Sequence, residues 1–128
     1  MQYMYLGRPE AVAKGEKGKA HKGIVCIGYE MPEKGVKSAE FSVSYCSPGD
    51  AFAKKKAHAI IKGRFDKGMK QSVKVDVDTS SPSYEAVRAA ILSTFIAAMT
   101  EKVNGKRYGG ASVAGINMPR WMSMDHVS

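Results

Sequence analysis

Residues 24–29 read IVCIGY, an apolar run rich in β-branched side chains and too short for a helix. A run with no polar face suits a strand covered on both sides. Gly28 inside it predicts a bulge. The next stretch, 39–46, alternates, with Phe41, Val43 and Tyr45 opposite Glu40, Ser42 and Ser44. Pro32 and Gly35 in the connection between the two runs are turn formers, so the pair reads as an antiparallel hairpin. Residues 72–78 alternate again, with Val73, Val75 and Val77 inward and Lys74, Asp76 and Asp78 outward, which predicts a third core strand. Residues 1–6 give a short strand with Tyr3 and Tyr5 on one face, broken by Gly7, Arg8 and Pro9.

Two helices complete the pattern. Ser47, Pro48 and Asp50 carry helix-start chemistry, and a first helix is predicted from Ser47 through the densest positive charge in the chain: Lys54, Lys55, Lys56, His58, Lys62, Arg64 and Lys67. Gly63 and Gly68 flank the turn after it. Ser81 is the expected cap and Pro82 the expected first residue of a second helix running to Asn104. Between Ala86 and Met99 only Arg88, Ser93 and Thr94 are polar, a wider apolar surface than one small sheet buries. The expected cover is the same helix of another copy, making a homodimer or larger assembly through helix 82–104, with Ile91 in the interface. The alternative is that the C-terminal segment folds back over it.

The predicted class is α+β, an antiparallel sheet of three to four strands with two α-helices in the order β-β-α-β-α and an irregular C-terminal segment. All 128 residues fit one domain, with a mobile Lys/Gly-rich loop at 7–23 and an irregular arm at 105–128. Twenty Lys and Arg against twelve acids give a net charge of +8, which favours phosphate- or carboxylate-bearing partners. Cys26 and Cys46 lie twenty residues apart with no metal-ligand spacing around them, and read as two buried reduced thiols. No apolar span is long enough to cross a membrane and the N-terminus lacks a leader pattern, so a cytoplasmic location is expected.

No catalytic signature accompanies this charge. His21 falls in a loop, His58 among lysines, whose like charge should bias it to the neutral form, and His126 at the terminus; none is paired with a nucleophile. Asp76 and Asp78 share one strand face that solvent exposure explains without a metal. The expectation is a protein that is not an enzyme and needs no cofactor. Glycines 105, 109, 110 and 115 accompany Arg107, Tyr108, Arg120 and Trp121 at the C-terminal end, where backbone N–H groups, arginine clamps and stacking rings could meet a nucleotide.

The segment Cys46–Phe65, CSPGDAFAKKKAHAIIKGRF, resembles the Thoeris anti-defence sponges, small phage-encoded proteins. Asp50, Phe52, Lys54, Gly63 and Arg64 match that pattern; Ala57 and His58 stand where it has Gly-Arg. The resemblance implies an antiparallel sheet with two helices, assembly into oligomers, and capture without cleavage of a cyclic ADP-ribose signal or a cyclic oligonucleotide, in the host cytoplasm. It puts ligand contacts on Arg64 by the pattern itself and on Phe95, Asn104 and Arg120 by order and spacing, to which the arginine-glycine reading adds Arg107. Arg64 is then the direct phosphate contact and the lysines a steering face. The competing reading is a basic nucleic-acid-binding protein, which the chain's charge fits although no RRM, zinc-finger or GXXG pattern supports it.

Overall fold

The computed structural model describes residues 1–7, 23–32, 37–48, 50–75, 83–104, 112–123 and 126–127, with helix side chains described as far as residue 99. It has the mixed α+β architecture with an antiparallel sheet and two helices. Strands β1 (Gln2–Leu6), β2 (Ile24–Glu30), β3 (Ser38–Cys46) and β4 (Gln71–Lys74) form one sheet in that spatial order, every neighbour antiparallel. Helix α1 (Lys54–Asp66) joins β3 to β4, and helix α2 (Tyr84–Asn104) follows β4.

Alternation decides where the helices go. Val25, Ile27 and Tyr29 of β2 join Phe41 and Val43 of β3 and Val73 of β4 on one face, where α2 supplies Val87, Ile91, Phe95 and Met99. Cys26 on the opposite face packs with Ala57 and Ile61 of α1, and with Tyr3 and Tyr5 of β1. Val25, Ile27 and Tyr29 are 0% exposed and Cys26 1%, so β2 is buried from both sides as its sequence requires. Gly28 does not bulge: its register runs unbroken from Tyr3 on one side to Ser42 on the other. What it supplies is room, because a Cβ there would lie 2.5 Å from Ile61 Cγ2 and 2.9 Å from Met1 Sδ.

Both helix starts differ from expectation. Helix α1 begins at Lys54, seven residues after Ser47, because Asp50 N–H donates to the Ser47 carbonyl (3.1 Å) and spends the Ser-Pro segment on a turn out of β3. Phe52 then packs edge-on against Tyr5, ring centroids 6.0 Å apart, which holds the approach to the helix extended. For α2, Ser81 and Pro82 lie outside the described residues, and the cap is Ser83: its Oγ accepts from Ala86 N–H at 3.2 Å and its carbonyl from Val87 N–H at 3.1 Å. Helix α1 ends as glycine dictates. Gly68 (φ 76°) allows its own N–H to reach Phe65 O and Met69 N–H to reach Arg64 O, the paired closure of a Schellman turn.

One stripe of α2 is covered within the chain, while Ala89, Ile96 and Ala97 stay exposed. Its buried residues, Val87, Ile91, Phe95 and Met99, are spaced four apart and form one stripe, while Val113, Ala114, Met118 and Met122 of the C-terminal segment complete the same core. That segment, read from sequence as irregular, contains a short hairpin, β5 (Ser112–Val113) and β6 (Ile116–Asn117), closed by Ala114 and Gly115 at φ 57° and 77°. Gln71 Oε1 accepts from Ala114 N–H at 2.8 Å and ties the hairpin to β4. Most of the loop expected at 7–23, and the part of the arm at 105–111, lie outside the described residues, as do Asp76, Val77 and Asp78.

Ile91, expected at a subunit interface, is instead 0% exposed inside the single-chain core. Ile91→Glu should therefore unfold the protein, by about 3 kcal/mol or more, rather than yield folded single copies. Chemical denaturation with size-exclusion chromatography reads this; a folded variant of reduced mass would contradict it.

Candidate functional site

Helix α1 lies on the sheet through Ala57 and Ile61, which leaves two flanks of different chemistry. Residues four apart share a face. Towards β1 run Lys54, His58 and Lys62; towards the end of β3 run Lys56, Ile60 and Arg64.

On the first flank His58 is built into the surface. Its ring stacks on Tyr3 with centroids 3.6 Å apart and planes 10° apart, and its Nε2 is hydrogen-bonded to Tyr5 Oη at 2.6 Å. Lys54 Nζ stands 5.1 Å from the centre of the Tyr5 ring. Desolvation first, then Lys62 and Lys54, lower the His58 pKa, and burial raises that of the Tyr5 hydroxyl, so both are neutral at pH 7.

The second flank borders a groove of about 460 Å³, walled by Ser44 and Cys46 of β3, by Phe52 in the approach to α1, and by Lys56 and Ile60. The N-terminus of α1 opens here. Ala53 is extended and offers no side-chain cap, no acid stands in the first turn, and Lys54, Lys55 and Lys56 are all exposed. Cations at the positive end of a helix are unfavourable by roughly 0.3–1 kcal/mol each. No ion pair relieves them: among the described residues, Lys70 Nζ meets Glu40 Oε2 at 3.1 Å, and no lysine of α1 has such a partner.

The cysteines are not disulfide-bonded. Burial pushes the Cys26 thiol up to about 12; burial and then Asp50 raise that of Cys46, with Lys56 opposing. Neither is a thiolate at neutral pH. Cys46 is half-buried rather than buried, its Sγ 3.8 Å from the carbonyl oxygens of Asp50 and Ala51. Among the described residues no three His, Cys, Asp or Glu side chains group to hold a metal, and no helix is long and apolar enough to cross a membrane.

Of the residues expected to share one ligand, Arg64 and Phe95 are engaged within the fold, and two others are only partly described or not described. Arg64 is half-buried and its Nη1 donates to the Val43 carbonyl, so it serves the sheet first; burial lowers its pKa, with Tyr45 opposing, yet the guanidinium stays charged. Phe95 is 0% exposed in the core, its ring 6.1 Å from Phe41, and presents no face to a ligand. Asn104 ends α2, and α2 lies on the sheet face away from α1. Its side chain and Arg107 are outside the described residues. Arg120 is exposed in the turn before Trp121, whose ring meets Tyr45 edge-on at 6.1 Å. Sequence reasoning missed the partnership of Tyr3 and Tyr5 with His58. Their shared strand face was legible, but which helix would cover it was not.

Comparison with protein-family models, with curated proteins and with solved structures finds no match.

His58 gives the fold a pH dependence. Its folded pKa lies below the unfolded value near 6.5, so its share of stability is complete above that value and is lost as pH falls from there through the lower folded pKa. Melting temperature should drop between pH 7.5 and 5.5, and His58→Gln should flatten that drop; equal slopes in both proteins would contradict the assignment.

Proposed function

We propose that the protein captures a nucleotide-derived anion without cleaving it, holding the phosphates at the N-terminal end of α1. One observation carries this reading: a helix start with no side-chain cap, beside three exposed lysines that have no ion-pair partner among the described residues, opens on a groove of about 460 Å³ in whose lining Asp50 is the one acid. Backbone N–H groups at a helix start and cations beside them attract phosphate, and the groove has a volume ordinary for a small ligand. Phe52 in the groove wall offers an apolar ring beside them. Protonated thiols and a histidine engaged by two tyrosines favour holding over turnover. The resemblance in residues 46–65 supplies the ligand class, a cyclic ADP-ribose signal or a related cyclic nucleotide, and with it the role of sequestering an immune signal in an infected cell.

A second reading, binding of nucleic acid, draws on the spread of the charge. Lys54, Lys55, Lys56 and Lys62 of α1 and Lys67 just after it are all exposed, and they spread well beyond the groove. The two readings part on salt and on position. A ligand with two phosphates gives a shallow dependence on salt, whereas a strand contacting many phosphates gives a steep one.

By calorimetry with cyclic ADP-ribose, Lys56→Ala should weaken binding by about 1.5–3 kcal/mol, roughly 10- to 100-fold, while Lys62→Ala leaves it nearly unchanged. Ligand released by heating should be intact. Equal losses in both variants towards a single-stranded oligonucleotide, with a steep salt slope and no affinity for cyclic ADP-ribose, would replace this reading with the second.

A further inference from the structure

The β4 edge of the sheet, unpaired among the described residues, carries chemistry unrelated to the basic helix. In the β3–β4 ladder Val75 N–H donates to the Lys37 carbonyl at 2.8 Å. Hydrogen-bonded and non-hydrogen-bonded pairs alternate along an antiparallel ladder, so Val73 with Ala39 and Gln71 with Phe41 are the bonded pairs. Ser72 and Lys74 therefore turn their N–H and C=O groups away from β3. The sheet order ends with β4, so these groups meet no strand among the described residues.

Beside this edge lies a groove of about 560 Å³ between β4 and α2. Val73 and Lys74 line one side and Ala86, Ala89, Ala90 and Ser93 the other. Small side chains on the helix leave the width that an additional strand's side chains need. The geometry is that of strand addition, in which main-chain bonds supply affinity and alternate side chains enter a recess.

We propose that β4 accepts an extended acidic peptide as a fifth strand, with small apolar side chains towards α2 and carboxylates on the opposite face. Charge selects this occupant. Lys70 is already paired with Glu40, but Lys74 on the edge strand and Lys67 beyond it are exposed, and the groove lining has no acid. The same lysines argue against a second copy of the chain, since antiparallel pairing centred on Ser72 would set Lys74 opposite Lys70 of the other copy, and lysine on an edge strand is a known guard against such pairing.

The test uses the full chain and an end-blocked octapeptide alternating Val and Asp, followed by amide hydrogen exchange and fluorescence anisotropy. Peptide should slow exchange at Ser72 and Lys74, the outward amides, and leave Gln71 and Val73, already bonded to β3, unchanged. Lys74→Glu should weaken binding about fivefold or more. Ala89→Tyr, an exposed position that narrows the recess, should abolish it, and Lys56→Ala should have no effect, which keeps this site separate from the anion site. No protection at Ser72 and Lys74 under saturating peptide would overturn the proposal, as would equal binding of the octapeptide with Lys in place of Asp. Protection of the same two amides without peptide, in a chain of doubled mass, would assign the edge to a second copy instead.

Discussion

Everything in this fold depends on β2 being buried from both sides. Val25, Ile27 and Tyr29 need one cover and Cys26 another, and a sheet of four strands has no spare layer to give. The chain meets the demand by sending its two helices to opposite faces. Burial of a large apolar side chain contributes about 1.5–3 kcal/mol, so a stripe such as Val87, Ile91, Phe95 and Met99 is enough to fix α2 where it lies. On the other face the contact is thinner, and it works because Gly28 lets Ile61 sit directly on the strand.

That division sets the surroundings of the basic helix: its neighbours are the end of β3, the turn after it, and the tyrosines of β1. Helix α1 starts without a cap and against its own dipole, an arrangement that its packing tolerates rather than requires. Arg64 shows how a charged residue can be drawn into structure. Met69 N–H, which the register would direct at Val43, is diverted to Arg64 O by the Schellman turn, and the guanidinium supplies the donor that the Val43 carbonyl would otherwise lack.

Much of the fold was legible in the sequence because it rests on period. Alternation in 39–46 and the continuous run 24–29 specify strands whatever surrounds them, and the end of α2 at Asn104 matches the loss of its apolar pattern. Helix starts were less legible. Ser47, Pro48 and Asp50 suit a helix start and a turn equally well, and the choice fell to Phe52 packing on Tyr5. The candidate site was legible only as charge: Lys54, Lys55 and Lys56 stand out in any reading, but the groove beside them needs Ser44 and Cys46, which alternate quietly in a strand.

The sequence alone determined the elements, their apolar faces and the sign of the surface, because these follow from local spacing and composition. Only the tertiary structure decided which faces meet. Phe95 and Ile91 became core because α2 found both the sheet and the C-terminal hairpin within one chain, and His58 became a neutral partner of Tyr3 and Tyr5 because α1 packed on the sheet face where β1 presents them. Contacts between segments fifty residues apart are set by the summed burial of many side chains, a quantity that no single stretch of sequence contains.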